Sequence, residues 1–320
     1  MNQSIAIIVY LLILLIPKTD NYKEDYFNYG EKAIEDRKAN LTDNNDFKGN
    51  YEKGVALYSG RDFEDAIFYF DLAIKGDKNN ILAPESYRYK GDALFYSNKY
   101  QEAINCYNIG IKLNSEHVSF YYGKGEALRA LKKYKEAIEC YDKGIKIDPN
   151  YDFRYMLYCG KAESLIEIEK YEEAIKCLDN TLILNDDYYG AYNDKGYALI
   201  KLKEYDRAIE VLNQVLEMWP EYTEAWVNKG KASYMKKEYN EAINSFGEAI
   251  KTDSNSAEAY YNRCLSFLEL SQVDNGIKDL KNAITLDKKY IGSIKQNRLF
   301  YKIKENKDYK NLESDYFRTN

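Results

Sequence analysis

Residues 134–150 read YKEAIECYDKGIKIDPN, and closely similar stretches recur on both sides of them. One copy lies upstream at 100–114 (YQEAINCYNIGIKLN), and three lie downstream at 171–185, 205–220 and 239–253. Every copy has an alanine at its fourth position. Further small residues occur at equivalent positions upstream and downstream of these copies. The residues at this position, spaced by 34 or 37 residues, are Ala66, Ala103, Ala137, Ala174, Ala208, Ala242 and Gly276. Such a regular internal repeat decides how every other feature of the sequence is interpreted.

Further residue types stand at fixed distances from the repeat alanine. A small residue lies twelve positions before it: Gly54, Gly91, Gly125, Ala162, Gly196, Gly230 and Cys264. A large apolar residue lies four positions after it: Phe70, Tyr107, Tyr141, Leu178, Leu212, Phe246 and Leu280. Apolar residues recur at helical intervals on both sides of a short polar turn, which predicts two antiparallel helices per repeat. Small residues on both helices allow close approach where the helices cross.

This pattern resembles the tetratricopeptide repeat, a 34-residue helix-turn-helix unit. The sixth repeat carries the family motif most fully, with Trp226, Gly230, Tyr239, Ala242, Phe246 and Ala249. The resemblance covers about residues 47–290 and implies seven repeats in an all-α, right-handed superhelical solenoid of antiparallel helix pairs. A single pair has too little core to be stable alone, so each copy of the repeat completes the core of its neighbour.

The chain is predicted to divide into four segments. Residues 1–21 form a hydrophobic N-terminal targeting or anchor segment, 22–46 a helical lead-in or cap, and 47–290 the seven-repeat array. Residues 291–320 form a C-terminal capping helix and tail. The apolar residues available to cover the last repeat are Ile294, Leu299, Phe300 and Ile303.

The N-terminal segment contains an unbroken apolar run, Ile5 to Ile16. As a helix this run would be about 18 Å long, shorter than the ~30 Å hydrocarbon core of a bilayer. Its length fits the apolar region of a signal peptide, although MNQS carries no Lys or Arg and no A-x-A site follows. We expect export or membrane association through this run. The alternative is a helix packed on the first repeat of a cytoplasmic protein.

Composition and motifs argue against several functional classes. A net charge of -6 and a pI of 5.3 disfavour a nucleic-acid binder, which normally has a basic surface. The only histidine, His117, lies in a polar loop and is expected at the surface, so no His-based triad or multi-His metal site is possible. No Walker, GxGxxG or GxSxG motif occurs. We therefore expect a protein that is not an enzyme and has no cofactor, catalytic residue or metal site.

The five cysteines are expected to be buried free thiols, with a redox or metal role as the alternative. Cys106, Cys140 and Cys177 occupy the same position in successive repeats. Equivalent positions of stacked helices lie about 8 to 10 Å apart, which is too far for a disulfide.

In the resembled family the first helices of successive repeats line a concave groove that binds peptides or extended segments. Residues three before, one after and four after each small residue share this face. The candidate partner-binding residues are Tyr51, Tyr58, Arg88, Phe95, Tyr122, Arg129, Asn193, Tyr197, Lys231, Tyr234 and Tyr261. Tyrosine suits such a surface because it combines a flat apolar ring with a hydrogen-bonding tip. The alternative is that many of these tyrosines only pack between helices.

A basic residue directly precedes every small residue: Lys53, Lys90, Lys124, Lys161, Lys195, Lys229 and Arg263. Stacking would align these residues into a ladder able to attract an acidic segment. We favour a structural role, in which each head group meets the acidic residue that precedes the repeat alanine. These acidic residues are Asp65, Glu102, Glu136, Glu173 and Glu241.

We therefore predict a protein–protein interaction scaffold that binds a peptide or an extended protein segment in a tyrosine-rich groove. The resembled family includes adaptors that grip a chaperone C-terminal carboxylate with Lys, Asn and Arg on three consecutive first helices. Here Tyr197 stands where the second Asn is required, which argues against that partner. One alternative is a self-assembling structural repeat protein. The other is an RNA-binding helical repeat, which Asp92, Glu126 and Glu163 on the predicted face disfavour.

Overall fold

The computed structural model describes residues 46–148 and 152–317. The chain falls into two compact units, Met1–Asp148 and Pro149–Asn320. The predictions for residues 1–21 and 22–45, including the apolar run Ile5 to Ile16, lie outside the described residues. Among the described helices, none has the length and hydropathy needed to cross a bilayer.

The described part of the first unit consists of three helix pairs, in which each helix packs against the next. These helices are α1 (Phe47–Ser59), α2 (Phe63–Gly76), α3 (Ala83–Tyr96), α4 (Tyr100–Leu113), α5 (Val118–Ala130) and α6 (Tyr134–Ile147). The first helices of neighbouring repeats, α1, α3 and α5, also contact one another. The prediction of consecutive antiparallel pairs is confirmed.

The second unit continues the arrangement with four pairs and adds three shorter helices. The paired helices are α7 (Arg154–Glu167), α8 (Tyr171–Leu184), α9 (Tyr189–Lys201), α10 (Tyr205–Met218), α11 (Thr223–Met235), α12 (Tyr239–Thr252), α13 (Ala257–Glu269) and α14 (Val273–Leu286). The shorter helices are α15 (Tyr290–Gln296), α16 (Arg298–Tyr301) and α17 (Lys307–Phe317). The first helices α7, α9, α11 and α13 contact one another in sequence.

The crossing inside each pair is a contact between the small residue and the large apolar residue. A Cβ atom added at Gly125 would lie 2.5 Å from the ring of Tyr141, and one at Gly230 would lie 2.6 Å from the ring of Phe246. Where the small position has its own side chain, as at Ala162, the facing residue is a leucine, Leu178. Close packing of protein interiors explains the pairs that contain a ring, because the ring fills the space that the missing Cβ leaves, whereas Gly196 faces a leucine, Leu212.

The turn inside each pair has the same conformation in all seven repeats. One residue in it has a left-handed backbone with φ between 59° and 66°: Arg61, Asn98, Lys132, Glu169, Lys203, Lys237 and Ser271. In the third repeat the N–H of Lys133 donates to the carbonyl of Leu128 (2.8 Å), and the carbonyl of Lys133 accepts from Ala137 N–H (3.0 Å). The first bond is the closing bond of a Schellman motif, and the second begins the next helix. One residue thus ends the first helix and starts the second.

In six of the seven turns the left-handed residue is neither glycine nor asparagine. Other residue types are strained in this conformation. We expect Lys132→Gly to raise the free energy of unfolding by about 0.5–1 kcal/mol, after allowing for the greater chain entropy of glycine in the unfolded state. Urea denaturation followed by circular dichroism measures the change. Asn98→Gly is the matched control and should give a smaller gain, and a destabilised Lys132→Gly protein would contradict the expectation.

The C-terminal segment is not the single capping helix that the sequence predicted. It breaks at Asn297, whose side chain accepts from Leu299 N–H (3.0 Å), and at Asn306, whose side chain accepts from Asp308 N–H (2.8 Å). Asparagine caps helix N-termini in this way, so each one starts a new helix. The predicted cover residues are nevertheless buried against Leu280 and Ile284 of the seventh repeat: Ile294, Leu299, Phe300 and Ile303.

All five cysteines are buried free thiols, as the sequence predicted. Burial raises the pKa of Cys106 to about 11 and the pKa of Cys264 well above its ordinary value. Both thiols therefore stay protonated at neutral pH and act as small apolar packing groups.

Candidate partner-binding face

The first helices place ten of the eleven candidate residues half-buried, with part of each side chain reaching solvent. Candidates on α1, α3 and α5 belong to the first unit: Tyr51, Tyr58, Arg88, Phe95, Tyr122 and Arg129. Candidates on α9, α11 and α13 belong to the second unit: Asn193, Tyr197, Lys231, Tyr234 and Tyr261. We call each set the partner-binding face of its unit.

Tyr58 is the exception, because only 4% of it is exposed. Its ring lies 5.4 Å from that of Tyr89 and 5.8 Å from that of Phe63. These rings join Phe70 in the core between the first and second repeats. The interpretation of Tyr58 as a groove residue is wrong, since its side chain fills a gap that neighbouring aromatic residues leave.

Arg88 is held from both sides by carboxylates of its own helix. Its Nε donates to Glu85 (2.9 Å) and its Nη1 to Asp92 (3.2 Å). The guanidinium also stacks over the ring of Tyr89, 3.8 Å from the ring centroid. Asp92 in turn accepts from the hydroxyl of the buried Tyr107 (2.7 Å). The charge on Arg88 is therefore compensated before any partner arrives.

His117 joins this network from the next repeat, which corrects the prediction that it is a surface loop residue. Its Nε2 lies 3.0 Å from Glu85 and its ring packs 5.0 Å from Phe120. Desolvation alone would raise the pKa of Glu85, but the hydrogen bond from His117 and the charge of Arg88 outweigh it. Together they lower the pKa of Glu85 to about 2. The carboxylate stays charged at neutral pH and ties the second repeat to the third.

The third repeat carries a similar arrangement on the same face. Arg129 donates to Glu126 (2.7 Å), and Glu126 accepts from the hydroxyl of Tyr141 (2.6 Å). Burial raises the pKa of Tyr141, and the nearby Glu126 raises it further. A buried hydroxyl needs an acceptor, which explains why an acidic residue follows the small residue in these two repeats. The first repeat pairs Phe70 with Val55 instead, because a phenyl ring needs no acceptor.

In the second unit, polar candidates are linked between neighbouring repeats. Asn228 donates to Asn193 (2.8 Å), and Lys231 forms an ion pair with Glu258 (2.6 Å). Because each link joins the first helices of two adjacent repeats, it fixes the spacing of the side chains on this face.

The tyrosines of the second unit differ in how much of their surface contacts other side chains of the chain. The ammonium group of Lys201 lies 5.2 Å from the ring of Tyr197. Burial raises the pKa of Tyr234 to about 12, with a further contribution from Glu269, whose carboxylate lies 3.4 Å from its hydroxyl. Tyr261 stacks on Tyr290, with a centroid distance of 4.6 Å. The C-terminal helices therefore occupy much of the Tyr261 ring, which makes it a poorer candidate than Tyr197.

Three members of the ladder of basic residues form ion pairs with acidic residues of second helices. Lys90 pairs with Asp71 (2.5 Å) and Lys195 with Asp179 (2.6 Å), in each case on the preceding repeat. Arg263 binds the buried Asp279 through two bonds of 2.7 and 2.9 Å. For Lys90 the predicted partner, Glu102, is replaced by Asp71, whereas no acidic residue precedes the repeat position in the repeats of Lys195 and Arg263.

Sequence reasoning missed the bridge between His117 and Glu85 and the bonds that join the buried tyrosines to carboxylates. A signal for the second existed: tyrosine replaces phenylalanine or leucine at Tyr107 and Tyr141, and an acidic residue occurs fifteen positions before each. No comparable signal pointed to the His117 bridge, which depends on how two repeats stack.

A family model described as tetratricopeptide repeat matches residues 90–152, 159–223 and 193–257, which together make up more than half of the chain. No curated protein matches the sequence. A tetratricopeptide repeat protein from Parabacteroides merdae aligns with a TM-score of 0.61 at 16% identity, over 80% of this chain and 97% of the other. The C-terminal part of a TPR repeat-containing protein from Cytophaga hutchinsonii also gives 0.61 at 16% identity, over 74% and 95%. At these identities the similarity shows the fold.

Proposed function

This chain belongs to the tetratricopeptide repeat family, and on that premise we propose that it is a scaffold that binds an extended segment of another protein along the partner-binding face of a unit. The observation that carries the proposal is the state of the tyrosines on the first helices. Tyr51, Tyr122, Tyr197 and Tyr234 are half-buried, so each ring is fixed by its neighbours while part of it remains open to solvent.

Rings held in this way favour binding because little entropy is lost when a partner docks. Tyrosine also contributes a large contact area with few rotatable bonds and a hydroxyl that bonds to peptide groups. An extended segment exposes peptide groups and side chains along its whole length, so it can contact tyrosines on more than one first helix of a unit.

The charges on the face define the chemistry of the segment. Arg88, Arg129 and Lys231 each pair with a carboxylate on the same face. A partner carboxylate would have to displace one of these carboxylates, so an acidic tail gains little here. The face instead suits a segment with apolar and aromatic side chains that contributes main-chain hydrogen bonds.

The test uses peptides selected from a random displayed library for binding to the full chain. We expect Tyr122→Ala and Tyr197→Ala each to weaken such peptides at least about tenfold, which corresponds to ~1.4 kcal/mol per residue. Isothermal titration calorimetry measures the affinities, and circular dichroism checks that helix content is unchanged.

Phe68→Ala is the matched control, because Phe68 is an exposed aromatic residue on α2, a second helix. It should leave peptide affinity unchanged. If the library yields no binders, or if the selected peptides bind the two tyrosine variants as tightly as the parent chain, the proposed face is wrong.

A further inference from the structure

The last turn of the second helix differs between repeats at one position, nine residues after the repeat alanine. Four repeats have lysine there: Lys75, Lys112, Lys146 and Lys251. Lysine is favourable near a helix C-terminus because it interacts with the helix dipole. The seventh repeat has Thr285, and the adjacent fourth and fifth repeats have Ile183 and Glu217. Two neighbouring repeats have thus lost a stabilising charge at the same edge, which indicates a local requirement of another kind.

An exposed apolar surface takes the place of the lysines at this edge. Ile183 is 80% exposed, and Leu184, Tyr189 and Met218 are each 40% to 46% exposed. The ring of Tyr189 lies 5.3 Å from that of Trp219. Because α8 and α10 end where α9 begins, these five side chains share one surface, which we call the apolar edge.

Within the fourth and fifth repeats the charges at this edge are acidic, whereas the flanking third and sixth repeats carry Lys146 and Lys251. The exposed carboxylates are those of Asp186, Asp187, Glu217, Glu221 and Glu224. The sequence has no lysine or arginine at 178–194 or at 208–228. Asp186 and Asp187 lie in the connection between α8 and α9, shortly before Tyr189 in the chain. An exposed apolar patch with an acidic rim is typical of a binding site for a basic segment.

A segment with the complementary chemistry lies near the C-terminus of the same unit. Residues 298–310 carry five basic side chains against two acidic ones. The basic residues are all exposed: Arg298, Lys302, Lys304, Lys307 and Lys310. Tyr301 is 57% exposed, and the ammonium group of Lys304 lies 4.2 Å from the centroid of its ring. We call residues 298–310 the basic segment.

We propose that the apolar edge of one copy of this chain binds the basic segment of a second copy. The contact joins two different surfaces, so each pair of copies leaves one edge and one basic segment available for further copies. It uses no residue of the partner-binding face and is independent of the function proposed above. The acidic rim provides attraction and orientation, and the contact between Tyr301 and the aromatic residues provides the apolar part.

The test is the mass of the full chain as a function of concentration, measured by sedimentation equilibrium. A contact between two small surface patches is weak. We therefore expect the measured mass to exceed that of one chain at protein concentrations from about 0.1 mM upward. Raising the salt concentration from about 0.1 M to 1 M should reduce the association, because the Debye length falls from about 10 Å to 3 Å.

Two double variants test whether the apolar edge and the basic segment form the contact. The edge variant, Ile183→Lys with Glu217→Lys, gives this edge the residue found in four other repeats. The segment variant, Lys302→Glu with Lys304→Glu, reverses charges around Tyr301. Each variant alone should remain a single chain. An equimolar mixture of the two retains one intact edge and one intact segment, and it should therefore reach the mass of a dimer and no more.

The matched control is Lys75→Glu with Lys112→Glu, which makes the same change in net charge as the segment variant but outside both surfaces. It should associate like the parent chain. The proposal is overturned if the parent chain keeps the mass of one chain up to about 1 mM at low salt, a range that covers even weak contacts. It is also overturned if the edge and segment variants associate as the parent does, or if their mixture forms no dimer.

Discussion

Replacing Asp279 by alanine is expected to lower the free energy of unfolding by about 3 kcal/mol, because breaking a buried ion pair leaves an uncompensated charge. Asp279 is only 3% exposed, and both of its carboxylate oxygens accept from Arg263. The guanidinium has few other ways to be satisfied, since it lies between the rings of Tyr260 and Phe267. The value is at the lower end of the usual range because Arg263 keeps some contact with solvent. Urea denaturation of the full chain measures it.

Two further variants separate the ion pair from general effects of the substitution. Asp274→Ala changes an exposed carboxylate in the first turn of the same helix, α14, and should cost well under 1 kcal/mol. Replacing both partners, as Arg263→Met with Asp279→Leu, should recover most of the loss, because an apolar pair of similar volume needs no compensation. A loss as large in this double variant as in Asp279→Ala would show that packing, and not the charge, explains the effect.

Replacing Gly125 by alanine is expected to cost about 2–3 kcal/mol, although alanine is the better helix former by up to ~1 kcal/mol. The new Cβ would lie 2.5 Å from the Tyr141 ring, which is completely buried and anchored through its hydroxyl to Glu126. The ring has little room to move aside, so the clash outweighs the gain in helix propensity. The same denaturation experiment measures the loss.

The fourth repeat indicates how to relieve this clash. It combines Ala162 with Leu178, so Tyr141→Leu should reduce the cost of Gly125→Ala. We expect the double variant to lose less than the sum of the two single losses by at least about 1 kcal/mol, as for residues in direct contact. Strict additivity would mean that the ring does not limit the size of residue 125. Gly190→Ala is a suitable control, because the nearest side-chain atom would be 3.5 Å from its added Cβ.

The helix pairs were predictable from sequence because the residues that define them act locally. Ala137, Gly125 and Tyr141 recur at fixed spacing, and their contacts lie within one pair. The break of the C-terminal segment at Asn297 was not predicted. Its apolar spacing is also compatible with one continuous helix, and the cap forms only when Phe300 turns into the core of the last repeat.

The partner-binding face was less predictable than the fold. The spacing of residues along a helix predicts the side to which a side chain points, but it does not predict which other side chains surround it. Helical geometry placed both Tyr58 and Tyr197 on the predicted binding side of their helices. Their surroundings differ, since Tyr58 meets the neighbouring rings of Tyr89 and Phe63 while Tyr197 has Lys201 beside it. Such differences depend on side chains of adjacent repeats, which no single repeat motif specifies.

The turn within each pair has three residues in all seven repeats, which limits where residues can be inserted into this chain or removed from it. The 37-residue step from the first repeat to the second leaves the turn unchanged. Two of its three additional residues lie in the connection at 77–82, which is longer than the connection at 114–117, and the third lengthens α3 relative to α5. Added sequence is thus accommodated in the connection and at the first helix, and not in the turn within a pair. An insertion for labelling or fusion belongs at 77–82, and a shortened chain should be cut at such connections, so that a whole helix pair is removed each time.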